Sequence, residues 1–406
     1  MQSRIVIAGA GFAGVWSALS AKRLIGFHGK DDDIEVIVVA PEPSLVLRPR
    51  LYEANASGMT HPLGALFKDA GINFIRGIVE TIQTEEQTVN VRHVSGPTST
   101  IKYDRLILAV GSTVSRPSKV AGVQEHTFDI DALDSATKLE SHLQSLASLA
   151  AGPGRDTIVV CGGGFTGIEL ATELPKRFPD AHIVLVENGT EIASGFAPSS
   201  RAIIKKALHD LNVEVKLGAA VTSIDSERIM LASGESIETK TPIWTAGVRA
   251  SPLTQQISGE KDGLSRLRVD HNLRVPTDPH VFATGDTACA LADTNSHHTL
   301  MSCQHALVLG RFSGHNAAAD LLGERLMPYS QAAYICCLDL GGYGAVIAQG
   351  WEKELKLQGD MAKGVKNLIN QQLIYPPQNV EEAMTAADPI GPDSDQLLEQ
   401  LIKVVG

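Results

Sequence analysis

The sequence predicts an α/β chain made of two doubly wound units followed by a small α+β region. Three observations carry this. A short apolar run, a glycine turn and a helix-forming stretch follow one another twice, from Arg4 and again from Thr157. Each copy is followed by a further apolar run ending near an acidic residue, as a strand–helix–strand unit requires. Beyond residue 330 the pattern changes to two apolar runs around a glycine turn, then a Pro- and Asp-rich tail.

In the first copy, Arg4 to Ala8 (RIVIA) is β-branched and apolar, as a strand buried on both faces must be. It leads into Gly9-Ala10-Gly11-Phe12-Ala13-Gly14 and the helix-forming VWSALSAKRL. Ile34 to Val39 is the next strand, and Tyr103 to Val110 (YDRLILAV) a third, closed by Gly111-Ser112. The second copy starts with Thr157 to Cys161 (TIVVC), then Gly162-Gly163-Gly164-Phe165-Thr166-Gly167, then IELATELPKRF. His182 to Val186 follows and ends at Glu187. Two copies about 150 residues apart are a duplication rather than a solenoid. Past them come Ile243 to Val248 and Val281 to Asp286. YICCLDLGGYGAVIAQG then reads as strand, turn and strand. In the tail, Leu397, Leu398, Leu401, Ile402 and Val405 share one helical face.

Composition narrows the function. With 43% hydrophobic and 20% charged residues the chain is an ordinary globular one, and its 406 residues allow two or three cores. A net charge of −11 argues against nucleic acid, whose phosphates are held by Lys and Arg, and offers no attraction to an anionic membrane. The five cysteines are odd in number and lack Cys-x-x-Cys spacing, which predicts a reducing, cytoplasmic setting and no dithiol centre. Adjacent Cys336 and Cys337 read as opposite faces of one strand. The uncharged run Ile5 to Ala21 imitates a signal peptide, but its spaced glycines suit a nucleotide loop better. No stretch reaches the ~20 apolar residues of a membrane span. His297, His298 and His305 have no carboxylate or Cys at ligand spacing on a shared helix face, so no metal is expected.

A G-x-G-x-x-G turn between strand and helix has a mechanical purpose. Its glycines permit the tight turn, the approach of backbone N–H groups to a pyrophosphate, and close helix–strand packing. Two such turns predict two Rossmann-like dinucleotide-binding domains with a small C-terminal α+β region. The acidic residue after the second strand chooses the nucleotide, because it bonds a ribose 2′-OH and repels a 2′-phosphate. Glu187 occupies that place in the second unit and favours NADH over NADPH. In the first unit the place falls on Ala40, so either Glu42 substitutes or the adenosine is held without that contact.

Thr277 to Ala288 (TDPHVFATGDTA) resembles the second FAD fingerprint of the pyridine-nucleotide flavoprotein reductases, with Gly285 and Asp286 placed for a ribityl chain. Together with GGGFTGIELATEL, IWTAGVRASP and CCLDLGG, it makes residues 4 to 350 resemble the type II NADH dehydrogenases, in the wider group that includes sulfide:quinone oxidoreductases. The resemblance implies a discontinuous FAD domain (1–115 and 273–330), an NADH domain (116–272) and a C-terminal region (331–406). It implies FAD held by Gly9, Gly11, Phe12, Ala13, Gly14, Ala40, Glu42 and Arg48, with Ala109, Gly111, Gly285, Asp286, Gln304, His305 and Ala306 from later segments. NADH is expected at Gly162, Gly164, Phe165, Thr166, Gly167, Glu187, Ala246 and Gly247. The implied chemistry is hydride transfer to the flavin, then two electrons to an acceptor, with reacting atoms held at ~3–3.5 Å. Glu169 matches the glutamate beside nicotinamide and flavin. Its other reading is a carboxylate interacting with a helix dipole.

The acceptor side departs from that pattern. Quinone-reducing relatives carry Ala-Gln-x-Ala-x-Gln-Gln-Gly; here Cys303-Gln304-His305-Ala306-Leu307-Val308-Leu309-Gly310 keeps only Gln304 of the three glutamines. A quinone or quinone-like acceptor is expected, with Glu169 and Gln304 as the catalytic candidates. Two other readings stand beside it: a reductase of a small redox protein, and an FAD/NAD(H)-responsive interaction protein. The last helix is short and acidic, so it can serve its own domain, a second subunit in a homodimer, or peripheral contact with a membrane's inner face.

Overall fold

The structure, a computed structural model, describes residues 2–405. Ile5, Val6, Ile7 and Ala8 are wholly buried, and their strand Ser3–Ala8 lies inside a seven-stranded sheet. Ile34–Ala40 and Arg105–Leu108 flank it in parallel. Val281–Ala283, from far down the chain, adds in parallel beyond Arg105–Leu108. On the other side Asn73–Gln83 pairs in parallel with Ile34–Ala40, then continues into antiparallel pairing with Thr88–His93, itself paired with Thr98–Lys102. The strand expected over Tyr103 to Val110 is shorter, because Asp104 turns to accept the Arg4 N–H at 2.7 Å.

The second sheet is all parallel, in the order Glu214–Lys216, His182–Val186, Thr157–Cys161, Thr241–Trp244. Two of these strands have the bounds expected from sequence, since both are short apolar runs closed by a glycine turn or an acidic residue. Where the chain passes between the two sheets, Ser112–Val114 and Val248–Ala250 pair antiparallel. The C-terminal region holds an antiparallel sheet of Ile335–Asp339, Ala345–Gln349 and Glu354–Gln358. Alternation sends Cys336 into the main core and Cys337 towards a smaller cluster.

The helix Phe12–Phe27 is buried continuously from Phe12 to Lys22, so its apolar residues form no single stripe. This accounts for the uncharged run Ile5 to Ala21. The helix Cys303–Leu322 lies directly on it, and Gly314 makes the approach possible: a Cβ there would stand 2.0 Å from the Ser17 carbonyl oxygen. Each fully buried Ile or Leu between these layers contributes about 1.5–3 kcal/mol. The final helix, Ser394–Val405, buries Leu398 and Leu401 in a cluster with Ala345, Ile347, Ala362 and Val365. Its apolar face is thus packed on its own domain. Among the described residues no helix is long and apolar enough to cross a membrane.

Candidate active site

The two glycine turns repeat one geometry. Gly9 and Gly162 take φ of +109° and +121°, a region closed to most side chains. Gly14 and Gly167 sit where a Cβ would collide with the Gly9 and Gly162 carbonyl oxygens, at 2.0 and 1.9 Å. Gly11 and Gly164 face open space and cap their helices without a side-chain hydrogen bond. Phe12 and Ala13, then Phe165 and Thr166, start those helices. Each loop therefore presents unpaired N–H groups and a helix N-terminus to one open spot, which fits a pyrophosphate.

Around the first loop, Ala109 backs Gly9: a Cβ on Gly9 would meet the Ala109 oxygen at 2.5 Å. Gly285, at φ +59°, brings Ala13 and Ala306 within 2.9 and 3.7 Å of the Cβ it lacks. The first helix, the Gly285–Thr287 turn after Val281–Ala283 and the Cys303–Leu322 helix thus converge on one cradle. Asp286 there accepts from Ser112 Oγ at 2.6 Å and from Arg48 Nη1 at 3.2 Å. Arg48 also pairs with Asp131, so the charge of one candidate residue is shared with a residue that sequence reading missed. Gly111, at φ +68°, turns the chain after its strand. Ala40 ends the strand Ile34–Ala40, while half-exposed Glu42 is paired with Arg76.

The second loop opens on a cavity of about 540 Å³, lined by Gly162, Gly164, Phe165, Thr166, Glu187, Ala246 and Gly247 among others. Gly167 lies beneath it, packed on the loop. Glu187 accepts N–H groups from Gly163 (2.7 Å) and Gly189 (2.6 Å), which aims its carboxylate at the cavity's rim. Lys119, Asp131 and Trp244 complete the wall.

Glu169, five residues past Gly164, is 4% exposed. Its Oε1 lies 3.0 Å from Lys366 Nζ and accepts the Asp339 N–H at 3.0 Å. Burial pushes the Glu169 carboxyl up to about 7, with Lys366 the largest opposing influence. Burial works against the charge of Lys366, but Glu169, Cys337 and Asp339 together hold it above its ordinary value. It also donates to the Cys337 carbonyl and lies 5.6 Å from the Phe165 ring centre. Asp339 in turn accepts from Tyr52 Oη (2.9 Å), from the Gly341 N–H (2.8 Å) and from Lys363. The Cys303 thiol, at the start of its helix, is raised mainly by burial and feels Lys366, Asp286 and Glu169 together. Tyr52, from the first copy's segment, and Glu169, from the second's, both meet Asp339. Burial pushes Cys161 and Cys337 up to about 12, so neither is a thiolate at neutral pH.

Gln304 turns both ends of its amide to protein: Nε2 donates to Ser394 Oγ at 2.6 Å, and Oε1 accepts from the Ile335 N–H at 3.4 Å. His305 is fully buried, stacked on Tyr334 at 5.1 Å, and bonds Ser302 through Nδ1 while Nε2 has no partner. Burial lowers it to about 3, so the imidazole is neutral. Ala306 follows, packed in the core. Lys366, Asp339, Tyr52 and Ser394 were invisible in the sequence, since no local spacing links them to Glu169 or Gln304. The one available signal was CCLDLGG, whose Asp339 stood inside a segment already noted for its resemblance.

Residues 3–310 match the family described as pyridine nucleotide-disulphide oxidoreductase. An NADH dehydrogenase-like protein of Mycobacterium tuberculosis is 38% identical over 399 residues, covering 95% of this chain and 98% of that protein. A type II NADH:quinone oxidoreductase of Staphylococcus epidermidis is 24% identical over 403 residues, covering 92% of this chain and 96% of its own. The solved structure of NDH2 from Plasmodium falciparum in complex with NADH superimposes with a TM-score of 0.76 at 16% identity, covering 95% and 98% of the two chains. The paired glycine loops and the comparisons agree: this chain belongs to the pyridine nucleotide-disulphide oxidoreductases and is an oxidoreductase of the type II NADH dehydrogenase kind.

Proposed function

We propose that the protein is an FAD-dependent NADH oxidoreductase that delivers two electrons to a quinone or quinone-like acceptor. The observation that carries this is the meeting of the two units at Asp339, which accepts from Tyr52 of the first at 2.9 Å and gives its N–H to Glu169 of the second at 3.0 Å. Phe165 and Thr166 line the nucleotide cavity, and the helix they begin carries Glu169 one turn further on. Two dinucleotides laid from their glycine loops would end face to face there.

Bound FAD would supply a two-electron relay between a hydride donor and an acceptor. The rest falls to the chain. The N–H groups after Gly11 hold a pyrophosphate, and Asp286, steadied by Ser112 and Arg48, offers its carboxylate to the ribityl hydroxyls. Glu187 accepts a ribose 2′-OH and repels a 2′-phosphate, which selects NADH. Phe165 lines the cavity, with Lys366 Nζ 5.6 Å from its ring centre. Glu169, lifted to about 7, holds or releases a proton at neutral pH, which reduction of a quinone to its diol requires. Gln304 stands on the acceptor side.

A rapid-mixing titration tests the reading. The yellow holoprotein is expected to bleach with NADH and not with NADPH, and to recover on addition of a water-soluble quinone. A colourless protein that binds no FAD would overturn the cofactor. Bleaching without recovery would overturn the acceptor class.

A further inference from the structure

The chain ends by crossing its own acceptor side. Asp388 pairs with Arg23, Gly391 passes Arg311, and Ser394 accepts from Gln304 at 2.6 Å. A Cβ on Gly391 would stand 3.4 Å from Arg311 Nη1. Gln304 and Arg311 lie two turns apart on one face of the Cys303–Leu322 helix. The tail therefore covers the face that carries Gln304, and its last helix then seats Leu398 and Leu401 beside Ala362 and Val365.

The stretch that reaches this seat is irregular. Asp388-Pro389-Ile390-Gly391-Pro392-Asp393 belongs to no helix or strand, and Ile390 is 71% exposed. Asp395 Oδ1 and Arg311 Nε are buried there without hydrogen-bond partners, which water would satisfy were the tail to leave. A closed state that leaves polar atoms unpaired lies closer in free energy to an open one.

We propose that residues 388–405 are a self-inhibitory strap that covers the Gln304-bearing face of the Cys303–Leu322 helix, and that it swings out before a quinone-like acceptor meets Gln304. The proposal rests on reading Gln304 as an acceptor-side residue.

A covalent staple tests it. A Cβ on Gly364 would lie 3.8 Å from Val405 Cβ, within the roughly 3.5–4.5 Å of disulfide-bonded pairs. The holoprotein carrying Gly364→Cys and Val405→Cys is compared oxidised and after reduction, with the reductant removed. Its two half-reactions are read separately, bleaching by NADH and recovery with a water-soluble quinone. The oxidised form is expected to bleach normally and to recover at least about tenfold more slowly, with full restoration on reduction. Equal recovery in both forms would overturn the strap. Should the cysteines not pair, Ser394→Ala decides. Loss of the latch is expected to raise kcat/KM for the quinone about 3–10-fold, and an unchanged value overturns the proposal. Failure of NADH to bleach the wild-type protein would instead remove the function on which it rests.

Discussion

Lys366 Nζ lies 3.0 Å from Glu169 Oε1, with the two side chains 6% and 5% exposed. The pair ties the helix after the second glycine loop to the helix Gly359–Leu368 of the C-terminal region. Taking two charges out of water is costly, and removing one partner strands the other. Lys366→Met is expected to destabilise the holoprotein by about 3–5 kcal/mol, and the double variant with Glu169→Gln by clearly less than the sum of the singles. Urea midpoints measure this; a Lys366→Met loss below about 1 kcal/mol would mean that the pair carries no such penalty.

The same carboxyl sets a pH dependence. Glu169 is raised from 4.5 to about 7, so it is protonated below that pH and ionised above it. Recovery of the NADH-bleached protein with quinone is expected to inflect near pH 7, and Glu169→Gln to lose the inflection. An inflection that persists in the variant assigns the proton to another group.

Gly14 and Gly167 distinguish the two proposed nucleotide sites. A methyl at either would press on a backbone oxygen, at 2.0 or 1.9 Å, and only a shift of the loop relieves it. Overpacking of this kind costs about 1–3 kcal/mol, or about 10–100-fold in affinity. Gly14→Ala is expected to purify depleted of flavin. Gly167→Ala should stay yellow yet need far more NADH to bleach, and equal NADH titrations for it and wild type would contradict this.

Glu187 has both oxygens engaged, with Gly163 and Gly189. Glu187→Gln can accept through only one end, and it no longer repels a 2′-phosphate. The ratio of kcat/KM for NADH over NADPH is expected to fall by about tenfold or more. A ratio unmoved by the substitution would show that selection lies elsewhere on the cavity wall.

His305 gives the acid limb of stability. Its folded value of about 3 lies below the ordinary 6.5, so the unfolded chain takes up a proton that the fold refuses. Stability is whole above pH 6.5 and falls as the pH drops towards about 3, by about 1.4 kcal/mol per unit from this residue. Denaturation of wild type and His305→Gln at pH 6.5 and 5.5 should show the variant losing less by about 1 kcal/mol, since the unfolded imidazole is already half protonated at 6.5. Parallel losses would mean that the imidazole is protonated in the fold.

Both glycine turns, the strands before them and Glu187 were legible because their geometry is set within a few residues. Gly9 must take a positive φ, Gly11 must stay bare, and Gly14 must touch Gly9, all inside one turn of chain. The second Cys of Cys336-Cys337 could likewise be sent to the opposite face by alternation alone. Asp131 was missed because its tie to Arg48 crosses between units and follows no spacing. Tyr52, Asp339 and Lys366 were missed for the same reason, although Lys366 and Asp339 help decide the state of Glu169.

From sequence alone came the pair of strand, glycine-turn and helix units, the acidic place at Glu187 and the strand-and-turn pattern of the C-terminal region. These rest on backbone sterics and side-chain alternation, which act between near neighbours. Only the tertiary structure decided that Glu169 is buried with a lysine, that His305 is neutral, and that the tail lies on Gln304. Burial and charge pairing are properties of distant segments brought together, and the free energy of a proton on Glu169 follows from that assembly rather than from its neighbours in the chain.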